Sequence, residues 1–389
     1  MKVPLHWSLQ HKETSPIYQK LQSQMSFNLA SKKDFFGKAP SIFVGRFGYP
    51  NINVGFLSVE KYNHNDEPLL WSKDDYSIKK IIDLRTQLVN SRFSANVKDI
   101  SGRYTELSQE VAMSDKPADM EINLIKRPQF KLSLQQDAAP HGPSVNIIKA
   151  DITENPHIPT KIDKIVSDTD LLANEGINTL FSKGVDEHYL TRLLSAGTLG
   201  IKRKLVPTRW SITAVDDNVG KRMLQTIRTY DMTGNLAYFG SHLGNYFIVL
   251  FLDDLYSYEL FEAHYKSPKY TTDHESFSGR TKYAEQCAGG YYAARLPALE
   301  IMEKTKKQSS VLVIRIITDE YYAPLGVWVV REAVRKALAN KPIEFSSKEL
   351  MFEYAKKLTK KKFNYDISQM LSSSILIKEV GVQKRLGQY

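Results

Sequence analysis

Residues 44–55 read Val-Gly-Arg-Phe-Gly-Tyr-Pro-Asn-Ile-Asn-Val-Gly, a glycine-rich turn that follows an apolar run. Glycine lets a backbone come close to a ligand. Around the turn stand a cation, Arg46, two stacking faces, Phe47 and Tyr49, and two amides, Asn51 and Asn53, with Phe56 just beyond. An amide can hold a water but cannot take its proton. The pattern suits a ligand-facing loop that grips a flat polar molecule between rings, or a structural β-loop whose aromatics fill core.

A second stretch, residues 202–217, reads Lys-Arg-Lys-Leu-Val-Pro-Thr-Arg-Trp-Ser-Ile-Thr-Ala-Val-Asp-Asp. Lys202, Arg203, Lys204 and Arg209 are phosphate-contact residue types, and Trp210 is either core or a stacking platform. The β-branched run 211–215 is expected to form a buried strand that delivers Asp216 and Asp217 at its end. Paired carboxylates can act as a general base or share a divalent metal. Asp217 is better suited to cap a helix beginning near Val219, which leaves Asp216 as the candidate base.

Two further groups are weaker. Residues 266–280 hold Ser267-Pro268, Asp273-His274-Glu275 and Arg280, where His264 or His274 could stabilise an anionic leaving group. Gly289-Gly290-Tyr291-Tyr292 followed by Arg295 suits base stacking and phosphate contact, although tyrosine is also a common filler between elements. None of the 9 histidines pairs at the i, i+4 spacing of a zinc helix, and the one cysteine, Cys287, cannot build a disulfide framework or a thiolate zinc site alone. No metal or other cofactor is expected.

The formal charge of +10 and a pI near 9.2 favour a polyanionic partner, nucleic acid first, through release of condensed counterions. With 42% hydrophobic and 25% charged residues, the 389-residue chain can build one large or two modest cores. No apolar run approaches the ~20 residues that span a bilayer, and no signal pattern opens the chain, so a cytoplasmic protein without a membrane partner is expected.

The elements that must position these groups alternate between strand and helix. Strands are expected at 41–44, 54–59, 246–252 and 311–317, and short strands with crossing loops over 129–162. Helices are expected at 75–90 with Ser77 as cap, 107–114, 187–195, 219–229, 282–304 despite Pro297, 328–338 and 347–358. This alternation argues for an α/β fold with a mixed central sheet flanked by helices. Residues 1–38 read as a lead-in with a helix start at Ser15-Pro16, 39–340 as the catalytic and DNA-binding core, 341–382 as a small basic helical extension and 383–389 as a short polar tail.

Five blocks carry a family resemblance. They are 44–55, Val166-Ser167-Asp168-Thr169-Asp170, 202–217, Gly289-Gly290-Tyr291-Tyr292-Ala293-Ala294-Arg295-Leu296 and Tyr321-Tyr322-Ala323-Pro324-Leu325-Gly326-Val327-Trp328. In order and over most of the chain, they resemble the archaeal-type Nre DNA-repair family, which implies DNA as partner. Many members open with a cysteine-rich zinc segment; residues 1–40 hold no cysteine, so that role does not carry over. The strand-loop-strand layout of 41–59 is also similar to the first motif of the uracil-DNA glycosylase superfamily. That likeness implies a similar core and hydrolysis of the N-glycosidic bond of an abnormal base flipped from the duplex. Asn51, Asn53 or Asp216 would handle water, and His274 or His264 the leaving base. Phe47, Tyr49, Phe56, Tyr291 and Tyr292 would hold the base, and Arg46, Lys202, Arg203, Lys204, Arg209, Arg280 and Arg295 would grip DNA. The acid that many such enzymes place in this loop is absent. Family members also end in a clamp-binding peptide, and Gln383, Leu386 and Tyr389 match the Gln-x-x-Leu-x-x-Tyr anchor by which repair proteins bind sliding clamps. Two functions follow: a DNA glycosylase, in repair or in defence against modified phage DNA, and a non-catalytic damage-recognition factor recruited to a clamp.

Overall fold

In the computed structural model, which describes residues 32–129 and 139–380, the early strands close into a barrel. Its strands are β1 (Asp34–Val44), β2 (Asn51–Val59), β3 (Val89–Asn96), β4 (Ala118–Leu124) and β5 (Ser144–Ile152), in the order β1-β2-β3-β5-β4. β1, β2 and β3 form an antiparallel meander. β4 pairs antiparallel with both β1 and β5, whereas β3 and β5 run parallel. One long strand serves two partners. The first half of β1 pairs with β4 and the second with β2, and a register shift between Lys38 and Ser41 supplies the bend that closure needs. The Arg103–Met113 helix lies between β3 and β4 in the chain. This connectivity is that of the oligonucleotide- and oligosaccharide-binding barrel.

Period-two alternation decides which side chains enter the barrel. Ile52, Val54 and Phe56 of β2 join Val89, Ala95, Ile122 and Ala112 in its core, while Asn51 and Asn53 face outward. Burying a side chain such as Phe56 contributes about 1.5–3 kcal/mol. The Ile78–Thr86 helix precedes β3, and the Ser77 hydroxyl accepts from the Lys80 N–H as its cap. The Glu187–Ser195 helix begins where the Asp186 carboxylate accepts from the His188 and Tyr189 N–H groups.

Residues 211–215 are not a strand. They lie in the Thr208–Ile227 helix, which starts after Pro207, whose carbonyl accepts from the Trp210 and Ser211 N–H groups. Ser211, Val215 and Val219 are buried at fourfold spacing while Trp210 and Ala214 are exposed, so the helical period prevails over the β preference of the branched residues. Asp217 therefore lies inside a helix rather than at the start of one.

The second architecture is a six-stranded sheet. It contains β7 (Asn235–His242), β8 (Asn245–Leu252), β9 (Ser257–His264), β10 (Tyr270–Glu275), β12 (Ser310–Ile317) and β13 (Ile343–Phe345), in the order β10-β9-β12-β8-β7-β13. Only β9 and β12 run parallel. The two-residue strands β6 (Asp231–Met232) and β11 (Lys307–Gln308) pair beside it. Every residue of β12 is buried, as a strand covered on both faces requires. The Trp328–Ala339 helix packs so closely on β7 that a Cβ at Gly240 would lie 2.5 Å from the Ala337 Cα. On the other face, Met351, Ala355 and Phe363 of the Lys348–Phe363 helix join Ile248, Leu250 and Leu312.

The chain is thus mixed α/β, as expected. It forms two compact units rather than one core over 39–340: residues 32–219 with Pro324–Gly326, and Gly220–Ala323 with residues 327–380. Residues 341–380 are no appendage, because their apolar side chains complete the sheet's core. The helix expected over 282–304 begins at Gly289. Ser15-Pro16 lies outside the described residues.

Candidate nucleic-acid interface

Loop 45–50 joins β1 to β2 and is fastened at its stem. The Gly45 N–H donates to the Asn53 carbonyl at 2.8 Å and the Asn51 N–H to the Gly48 carbonyl at 2.9 Å. Gly48 sits at φ +84°, and a Cβ there would lie 2.6 Å from the Asn51 carbonyl oxygen, so the turn requires glycine. The Val97 N–H donates to the Pro50 carbonyl, the Leu205 N–H to the Val97 carbonyl, and the Val44 N–H to Thr208 Oγ1 at 2.9 Å. These bonds bring the end of β3 and the 202–210 segment beside the loop, the second of them from about 150 positions further along the sequence.

Held this way, the rings point outward. Phe47 is 71% exposed, Tyr49 50% and Trp210 45%. Tyr49 and Trp210 touch, with ring centroids 5.5 Å apart and planes tilted by 53°, and the Arg46 guanidinium lies 5.0 Å from the Phe47 ring centre. Large aromatic rings ordinarily bury most of their area, so adjacent exposed rings mark a binding surface. Arg46, Lys98, Lys202 and Lys204 are exposed nearby, and none of the four forms an ion pair among the described residues.

The outer face of β2, β3 and β5 extends the site. Register places Asn51 opposite Asn96, Asn53 opposite Ser94, Gly55 opposite Arg92, and Arg92 beside Asn146. Asn96 Nδ2 donates to Asn51 Oδ1 and Arg92 Nε to Asn146 Oδ1, each at 2.8 Å. Gly55 is covered by the Asn90 side chain, whose Oδ1 lies 1.8 Å from where a Cβ would stand, so glycine is required there. That buried oxygen has no hydrogen-bond partner among the described residues. The strip offers amides, a hydroxyl and one guanidinium, groups that bind polar edges and anions. Arg92, Ser94, Asn96 and Asn146 were not singled out from the sequence, although the polar-apolar alternation of Arg92, Ser94 and Asn96 with Phe93, Ala95 and Val97 was a readable signal.

Several expected site residues are elsewhere. Phe56 points into the barrel core and stacks on nothing outside. Asp216 is 1% exposed within its helix, already engaged in an interaction of its own, and is not open to a substrate water. Arg203 is spent on the Gly200 and Val166 carbonyls, and Arg209 is half-buried and engaged. In the sheet unit, His274 Nε2 faces Glu379 at 3.2 Å. Arg280 is tied to the His274, Lys282 and Tyr283 carbonyls and to Asp273. Tyr291, Tyr292 and Arg295 are buried, with Arg295 Nη1 2.8 Å from Glu275 Oε2. A buried, paired guanidinium cannot reach phosphate. Gln383, Leu386 and Tyr389 lie outside the described residues.

Residues 9–271 match the archaeal Nre N-terminal family and residues 275–389 the archaeal Nre C-terminal family. The chain belongs to the archaeal Nre family. This Nre chain is 32% identical over 392 residues to the DNA repair protein NreB of Archaeoglobus fulgidus, an alignment that covers 97% of the chain and 96% of the relative. It is 40% identical over 322 residues to the DNA repair protein NreA of the same organism, covering 79% and 81%. With the DNA repair protein NreA of Haloferax volcanii it shares 35% identity over 325 residues, 77% of each chain. No solved structure matches it. Among its described residues no helix is long and apolar enough to cross a membrane, and no cluster of three or more histidine, cysteine or carboxylate side chains could hold a metal.

Proposed function

We propose that this Nre chain acts in DNA repair and meets DNA at loop 45–50 and the adjoining outer face of β2 and β3. The observation that carries the reading is the placement of three exposed rings, Phe47, Tyr49 and Trp210, among the cations Arg46, Lys98, Lys202 and Lys204, which form no ion pair among the described residues. Cations neutralise phosphate and rings hold bases, so the two together fit a nucleic acid better than either does alone. The net charge of +10 and relatives named as DNA repair proteins support the same partner.

Recognition without bond cleavage fits this geometry best. Hydrolysis of an N-glycosidic bond needs a group that takes a proton from water. The loop supplies Asn51 and Asn53, which can orient a water only, and Asp216 is shut inside its helix. Base removal is the second reading, favoured by exposed rings standing beside exposed amides, as a flipped base would require. Recruitment by a sliding clamp through Gln383, Leu386 and Tyr389 belongs to the first reading.

The test incubates the purified chain with duplexes bearing uracil or alkylated bases, then cleaves abasic sites with alkali. Binding without base release, lost when Phe47, Tyr49 and Trp210 become alanine, is the expected result. Release abolished by Asn51→Ala or Asn53→Ala would replace it with the glycosylase. Clamp capture lost on truncation after residue 382 would place the chain at a clamp; capture unaffected by the truncation would remove the tail from the proposal.

A further inference from the structure

We infer that the loop and the β2–β3 face take single-stranded DNA, with unpaired bases stacked on Phe47, Tyr49 and Trp210 and the strand led along the strip of Asn51, Asn53, Arg92 and Asn96. This inference rests on the DNA-facing reading and narrows it to one strand. Three observations point the same way.

The first is topological. The strand order β1-β2-β3-β5-β4, with β3 parallel to β5, is that of a barrel whose β2–β3 face and β1–β2 loop bind oligonucleotides, and both exposed rings of the loop lie between β1 and β2. The second is the access of the rings. Base pairs in a duplex already cover both faces of every base, so exposed rings find stacking partners only where bases are unpaired. The third is the strip itself. Its carboxamides carry both donors and acceptors and serve the edge of any base, and the arginine supplies a flat cation for phosphate.

The experiment measures anisotropy of labelled oligonucleotides with the full chain at several salt concentrations. The probe is oligothymidylate of about 16 nucleotides, the upper site size of one such barrel. The competitors are a duplex and an oligouridylate of the same length. The single strand should bind at least about tenfold more tightly than the duplex. Phe47→Ala, Tyr49→Ala and Trp210→Ala should each weaken it about 5- to 150-fold, the cost of losing one base-stacking ring. Tyr49→Phe, which keeps the ring, should retain affinity and shows that loss in the alanine variant is not misfolding. Lys202→Glu with Lys204→Glu should flatten the salt dependence by about 0.7 in logarithmic slope per lost contact.

Equal binding of duplex through the same residues overturns the single-strand inference and leaves the DNA-facing reading intact. Ring variants that bind oligothymidylate normally overturn the site. Tighter binding of oligouridylate overturns the assignment to DNA. Failure to bind any of the three probes sinks this inference and the underlying reading together.

Discussion

On the barrel the Arg46 guanidinium lies 5.0 Å from the centre of a Phe47 ring that is open to solvent, whereas in the sheet unit Arg295 lies 5.8 Å from the centre of a Tyr291 ring that is fully enclosed. The two pairs are chemically alike, yet they do different work. Arg46 forms no ion pair among the described residues. Arg295 gives Nη1 to both oxygens of Glu275 at 3.0 and 2.8 Å, while the Tyr256 hydroxyl also donates to Glu275. Burial, ahead of any neighbouring charge, pushes the Tyr256 and Tyr291 phenols up, so both remain neutral. Likewise the Glu259 carboxylate, buried on β9, accepts from the Ser374 hydroxyl and the Leu376 N–H and ties the last helices to the sheet. Polar residues in the sheet unit hold the fold. Similar residues on the barrel stay exposed to solvent.

The largest effect that could break this contrast is expected from Arg295→Met, which leaves the Glu275 charge buried and unpaired. Loss of one partner of a buried pair costs about 3–5 kcal/mol, readable as a lower urea midpoint. Oligonucleotide affinity of the molecules that remain folded should not change; a binding defect at unchanged stability would reverse the assignment. The complementary experiment combines Phe47→Ala, Tyr49→Ala and Trp210→Ala. Stability should stay within about 0.5 kcal/mol per exposed site, while DNA affinity falls by about 1–3 kcal/mol per ring.

A smaller effect concerns acid. His141 is buried beside the Phe43 ring with Nδ1 on the Gly142 carbonyl at 2.7 Å, and burial holds its pKa below the ordinary 6.5, with the charges of Arg85 and Arg92 acting in the same direction against that hydrogen bond. Because the unfolded chain accepts the proton at the ordinary value and the folded chain resists it, stability is full above about pH 6.5 and falls as pH drops toward the lowered folded value. The slope is at most about 1.4 kcal/mol per pH unit. His264 in the sheet unit is lowered as well, chiefly by burial, with Asp319 opposing. His141→Gln should therefore flatten part of the acid limb in urea titrations and leave the part due to His264. An unchanged limb would mean that His141 contributes nothing to it. The smallest effect is Ser77→Ala, which removes the cap on the Lys80 N–H and should cost about 1 kcal/mol with no change in DNA affinity.

Much of the local architecture was readable. The Ser77 cap, the Glu187–Ser195 helix, β8 and β12 all lie where periodicity and capping residues predict them. Loop 45–50 was legible too, since a glycine-rich turn between apolar runs has few alternatives, and it supplies Phe47 and Tyr49 to the candidate site. The misreadings share one cause. At 211–215 the branched residues favoured a strand locally, and only the buried period of a helix packed against its surroundings shows otherwise. At Tyr291, Tyr292 and Arg295 residue type suggested DNA contact, and nothing in a linear reading says that Glu275, 20 positions earlier, already holds the arginine.

From its residues alone this chain declared its family blocks, its surplus of positive charge, its capped helices and the loop that carries two of the candidate site's three exposed rings. Tertiary structure alone decided that β3 would lie parallel to β5 and close a barrel, that Trp210 would come against Tyr49, and that Asn96 would meet Asn51 across 45 positions. Periodicity reports which side of an element is apolar because that depends on neighbours within a few residues. Which polar group is consumed inside and which is left for a partner depends on groups far apart in the chain, and those meet only on folding.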